Sequence, residues 1–155
     1  MASDYRVLVA LDGSERAPGV LAAAIDVARA RKGELVVLRA VGLPLEVPAA
    51  ALFNSPNDVP ALLRGLADVE LEHLAKDVPR ELLVAKRVRI GVPWEAIIEE
   101  ASACGADLIV IGSHGYHGLD RVLGTTAGRV VNHAPCSTLV VRDKRAPVGA
   151  EAARA

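Results

Sequence analysis

Five short apolar runs, rich in β-branched residues and separated by segments of helical period, leave few architectures open to this chain. The runs are Val7 to Leu11, Leu35 to Leu38, Val84 to Ile90, Leu108 to Ile111 and Thr138 to Val141. Each is too short for a helix of ordinary length, and all are strand-like in composition. Four are almost continuously apolar, the pattern of strands covered on both faces. The third alternates Lys86, Arg87 and Arg89 with Val88 and Ile90, which predicts a sheet edge.

Between the runs, apolar residues recur three and four positions apart. Leu21, Ala24, Ile25 and Ala28 form one stripe, and Trp94, Ile97, Ile98 and Ala101 another, with Pro93 suited to a first helical turn. Leu62, Leu66 and Val69 predict a helix before the third strand. Leu119, Val122, Leu123, Thr126 and Val130 predict one before the fifth, with Gly124 able to delay its start. Strands alternating with helices imply right-handed crossovers, and so a five-stranded parallel sheet, doubly wound, with helices on both faces: a Rossmann-like α/β fold. At 155 residues the chain fits one domain, expected over residues 1–142. Residues 143–155 lose hydrophobic period and read as a flexible tail. The proline-rich stretch 42–60, with Pro44, Pro48, Pro56 and Pro60, reads as a long loop, a lid or a partner surface.

Composition narrows the function. Basic and acidic residues nearly balance, at a formal charge of -1, so the chain lacks the electrostatic footprint of a nucleic-acid binder. Aromatic residues make up 3% of the chain, which argues against a carbohydrate groove lined by rings. The two cysteines, Cys104 and Cys136, are far from a disulfide framework and form no C-x-x-C pair. With no apolar leader at the start and no membrane-length apolar run, the expected location is the cytoplasm.

Two segments carry chemistry. Gly112-Ser-His-Gly115 and then Gly124-Thr125 follow the fourth strand and lead into a helix. Glycines allow close approach of a ligand, and free N–H groups at a helix N-terminus attract anionic oxygens, so the arrangement suits phosphate. The Thr125 hydroxyl and Arg121 could add contacts. At the end of the first strand, Asp12-Gly13-Ser14 puts a carboxylate where ribose hydroxyls, or a metal carried by a nucleotide, could be met. Asp12 and Ser14 also have the chemistry of a plain helix cap. If the first and fourth strands are neighbours, both segments meet beyond the carboxyl ends of the strands. Neither G-x-x-x-x-G-K-[S/T] nor G-x-G-x-x-G occurs, which disfavours P-loop ATPases and ordinary dehydrogenases. His114, His117 and Asp120 lack the spacing of a metal site. Ser113 and His114, adjacent in extended chain, point apart rather than forming a catalytic pair. A receiver-type signalling domain would need a paired acidic cluster after the first strand, and Asp12 stands alone there.

The glycine segment resembles the signature of the universal stress protein family, with Ala106 to Gly112 before it, Val131 to Arg142 after it, and Val7 to Ser14 similar to the family's first strand and turn. The resemblance spans about residues 5–142. It departs at one place: eight residues separate Gly115 from Gly124, one fewer than the family's pattern. It implies a fold similar to the adenine nucleotide alpha hydrolases and membership of the ATP-binding class. On that reading Asp12 meets the ribose, the main chain near Ala40 meets adenine, and Gly112, Gly115, Gly124 and Thr125 surround the phosphates of ATP, with Mg2+ bound through the nucleotide. It further implies a homodimer through Ser137 to Arg142 and a role in stress response. A weak ATP-hydrolysing or adenylyl-transferring enzyme and a nucleotide-free dimeric scaffold are the alternatives.

Overall fold

The computed structural model describes residues 3–43, 58–113 and 123–142. The order is β1 (Arg6–Leu11), α1 (Ala17–Ala30), β2 (Glu34–Val41), α2 (Asp58–Ala75), β3 (Leu83–Ile90), α3 (Pro93–Cys104), β4 (Leu108–Gly112), α4 (Thr125–His133) and β5 (Ser137–Val141). All neighbouring strands pair in parallel, in the spatial order β3-β2-β1-β4-β5. The expected five-stranded, doubly wound sheet is what forms. The expected tail, 143–155, and most of the 42–60 stretch lie outside the described residues.

Alternation along the central strands divides the core into two layers. Val7, Val9 and Leu11 of β1 and Leu35 and Val37 of β2 pack with α1 and α2 on one face. Leu8, Val36, Leu38, Ile109 and Ile111 pack with α3 and α4 on the other. Each such strand residue that is fully enclosed contributes about 1.5–3 kcal/mol of burial free energy, which is why the middle of the sheet tolerates almost nothing polar. The helix ends follow local chemistry. α3 starts at Pro93 and stops at Gly105, whose φ of 65° is the left-handed cap that glycine adopts without strain. After α1 the chain turns at Gly33, where a Cβ would stand 2.7 Å from the Tyr5 carbonyl oxygen, so only glycine lets β2 enter beside β1.

Three local readings need correction. Leu62, Leu66 and Val69 do lie on a helix, but they are exposed; the sheet takes Ala67 and Leu71 instead. α2 carries two apolar stripes, and the one with small residues lets the helix approach the sheet. The fifth strand, as apolar as the central ones, is nevertheless an edge strand, with Ser137 and Leu139 exposed. Val84 sits at a register shift between β2 and β3, where Leu35 pairs Leu83 and Val36 pairs Ala85, and the extra residue is turned outward. The edge position of β3 is as its charges predict. Its Arg89 reaches Glu100, the one buried charged residue among those described, at 2.6 Å.

Candidate functional site

Strand order reverses between β1 and β4, and the carboxyl ends of these strands open into a cleft of about 560 Å3, a size that holds a small ligand. Asp12, Ala40, Gly112, Gly124 and Thr125, which the sequence spreads over 114 positions from first to last, all line it. Gly115, Arg121, His114, His117 and Asp120 lie outside the described residues. Most of the remaining wall is apolar, from Leu11, Val20, Ile97 and Ile111, and its described charges are Asp12, Arg16 and Arg39.

Asp12 serves the local turn as well as facing the cleft. Its Oδ1 accepts from the Ser14 amide at 3.0 Å and from the Ser14 hydroxyl at 2.6 Å, and Ser14 Oγ in turn accepts from the Arg16 amide at 3.3 Å. This network shapes the turn ahead of α1 and does not cap the helix, because the N-cap is Arg16 and no side-chain cap bond is made there. It also fixes the carboxylate at the mouth of the cleft, since the turn holds it by two bonds. Gly112 is required for closeness rather than for an unusual φ: a Cβ there would stand 3.2 Å from Val20 Cγ2, and Val20 is enclosed in the core and has little room to give.

The end of the cleft whose chemistry suits an anion is the start of α4. Its N-cap, Gly124, has φ -56° and ψ 158°, no side chain caps it, and its first turn holds no acidic residue. A helix cannot satisfy its own first amides. Among the described residues no carbonyl outside the helix accepts from the Thr125, Thr126 or Ala127 N–H, and those three residues line the cleft. Partial positive charge of a helix terminus is thus aimed into the space facing Asp12. The Ser113 amide is not part of this set, because it donates to the Val141 carbonyl at 3.0 Å and extends the β4–β5 ladder.

Two cleft cations escaped the sequence reading. Arg16, the N-cap of α1, extends Nη1 to the Ser113 carbonyl at 3.4 Å, so a positive group stands where β4 leads into the glycine segment. Arg39 stands at the other end, beside Ala40, with Nη1 donating to the Ala40 carbonyl at 2.8 Å and Nε to Glu70 at 2.8 Å. A lone arginine at a strand end gives no signal in sequence, because its partner lies on a distant helix.

Fold and cleft define a class: a doubly wound α/β domain with a cleft at the reversal of strand order, lined by a carboxylate and by a helix start whose first amides have no acceptor among the described residues. Comparison with known proteins narrows it. The chain belongs to the universal stress protein family, whose model matches residues 5–142. Universal stress protein A homolog 1 of Coxiella burnetii is 32% identical over 142 residues, covering 87% of this chain and 94% of that protein. Among solved structures, universal stress protein UspA from Lactobacillus plantarum superposes with a TM-score of 0.65 at 26% identity, covering 92% of this chain and all of the other. A universal stress protein in complex with cAMP superposes with a TM-score of 0.58 at 23% identity, covering 90% and 98%.

Among the described residues no helix is long and apolar enough to cross a membrane, and no group of three or more His, Cys, Asp or Glu is placed to hold a metal ion.

Proposed function

We propose that this chain binds ATP in the cleft and acts as a dimeric module of the cytoplasmic stress response. The observation that carries the reading is the start of α4, whose first amides have no acceptor among the described residues and line a cleft with a mostly apolar wall. An apolar wall suits a purine, an amide-rich end suits phosphates, and Asp12 between them suits ribose hydroxyls. On this reading Gly112, Gly124 and Thr125, which line the cleft, meet the phosphates, and Ala40, which also lines it, meets the base. On the same reading Gly115 completes the phosphate contacts. The solved relative crystallised with cAMP has this fold, and its ligand is an adenine nucleotide. Mg2+ would arrive on the phosphates and offset their charge. Arg16 adds a cation at that end, and holding the polyphosphate is the part assigned to this chain's own residues.

The dimer reading rests on β5. Among the described residues it presents a strand edge that no other strand pairs, with Leu139 exposed, and such edges are commonly closed by a second copy. Light scattering after size exclusion is expected to give twice the 16.2 kDa chain mass. A monomer at high concentration would refute the pairing.

Mass spectrometry of small molecules released from freshly purified protein tests the nucleotide. ATP or ADP at near-stoichiometric amounts is expected. An empty protein that also shows no heat of binding with added ATP would leave only the fold standing.

A further inference from the structure

The nucleotide reading leaves one charged group of the cleft without a task. Arg39 lies two residues before the end of β2 with its side chain only 17% exposed, although it is a full cation on the cleft wall. Two bonds from different parts of the chain hold it: Nε donates to Glu70 Oε2 of α2 at 2.8 Å, and Nη1 donates to the Ala40 carbonyl at 2.8 Å. These use two of the five guanidinium N–H groups. Nη2 lies toward the Asp12–Gly13 turn, 3.3 Å from where a Cβ on Gly13 would stand. The guanidinium is therefore fixed between the residue assigned to the base, Ala40, and the turn assigned to the ribose.

That position has consequences for which base fits. A main-chain carbonyl is an acceptor and complements the 6-amino group of adenine. A guanidinium fork is a donor and complements the O6 and N7 acceptors of a 6-oxopurine. Ala40 and Arg39 present both kinds of group side by side. The Ala40 carbonyl already accepts one bond from Arg39, which leaves it a single lone pair for an incoming amine.

We infer that Arg39 is a base-reading residue, and that the cleft takes 6-oxopurine nucleotides, those of guanine and hypoxanthine, alongside ATP. Glu70 is its positioning residue, holding Nε so that the Nη edge faces the ligand. Gly13 leaves the space this pair occupies: a Cβ there would stand 2.5 Å from Glu70 Oε1 and 3.3 Å from Arg39 Nη2, so Gly13→Ala displaces the carboxylate first and crowds the guanidinium it holds. The inference rests on the nucleotide reading of the cleft and adds to it a second class of base.

Calorimetric titration of the full chain with ATP, GTP and ITP tests it, in the parent and in the Arg39→Met and Gly13→Ala variants. The readout is the ratio of GTP to ATP affinity, because loss of a cation or of folded protein weakens both nucleotides alike. The parent is expected to bind GTP and ITP within about tenfold of ATP. Arg39→Met should lower the GTP-to-ATP ratio by about tenfold, the scale of one lost fork contact to a base edge. Gly13→Ala should lower it in the same direction by less. A parent that binds ATP but takes GTP more than about tenfold more weakly overturns the inference and leaves the ATP reading intact. So does a ratio that Arg39→Met leaves unchanged. If the methionine variant does not fold, the parent ratio and the alanine variant decide. A parent that binds none of the three nucleotides refutes the underlying reading as well.

Discussion

Replacing Gly124 by Asp sets two consequences of the same geometry against each other. Gly124 has the extended conformation of a helix N-cap, with φ -56° and ψ 158°, and an aspartate fits there without strain. Its carboxylate would accept from the Thr126 or Ala127 amide and strengthen α4. Asp is only a few tenths of a kcal/mol better than Gly at this position, so the melting temperature should rise by about 1 °C. The proposed phosphate site would lose one or two amide donors, each worth about 1.5–3 kcal/mol toward a charged acceptor. It would also gain a negative charge about 5 Å from the phosphates, adding roughly 1–3 kcal/mol of repulsion. Taken conservatively, ATP affinity should fall by about 3–5 kcal/mol, or two to nearly four powers of ten in Kd. Calorimetry with ATP and a thermal melt on the same sample measure both effects. Gly124→Asn, which caps without charge, should fall between parent and Asp. If Gly124→Asp keeps its ATP affinity within tenfold while melting no lower than the parent, the α4 amides are not the phosphate site.

Arg89→Met should destabilise the protein, because Glu100 is enclosed and its other cation, Arg87, stands 3.8 Å away. Breaking a fully buried pair costs about 3–5 kcal/mol; with Arg89 one-third exposed, about 2 kcal/mol is expected in urea unfolding, and Arg89→Met with Glu100→Leu should recover most of it. Burial, reinforced by the Glu100 charge, raises the pKa of Cys104, and burial raises that of Cys136, both above the ordinary 9.0. At neutral pH both thiols should therefore react with iodoacetamide more slowly than free cysteine. The folded chain keeps these protons longer than the unfolded chain does. Their effect on stability is nil well below pH 9.0, and stability declines as pH rises past that value, where the unfolded thiols ionise first. A Cys104→Ala, Cys136→Ala variant should show a shallower alkaline decline in a melt series.

The order of elements was legible because each carries its own period. Strands of four to eight apolar residues and stripes at three and four positions are local patterns, and alternation alone then forces parallel pairing. The edge position of β3 was legible too, since Lys86, Arg87 and Arg89 could not be covered on both sides. The edge position of β5 came only through the family resemblance, which set Ser137 to Arg142 at a dimer edge, and not from its composition. An apolar strand looks the same whether its neighbours are strands or a second protein, and only the pairing order tells them apart. Helix α2 shows the same limit. Its sequence offers two apolar faces, and Leu62, Leu66 and Val69 gave the louder signal, yet the sheet selected the face with Ala67 and Ala75.

For the cleft, Asp12, Ala40, Gly112, Gly124 and Thr125 were identified in advance, four from turn chemistry at strand and helix ends and Ala40 through family resemblance. Arg16 and Arg39 were not identified. A side chain's role in a cleft depends on what distant segments bring beside it: Ser113 to Arg16 across 97 positions, and Glu70 to Arg39 across 31. Sequence alone determined the elements, their order and the glycine segment, since these follow from interactions between near neighbours in the chain. The tertiary structure decided which faces are buried, which strands stand at the edges and which charges meet in the cleft, because those depend on contacts that exist only once the sheet has closed.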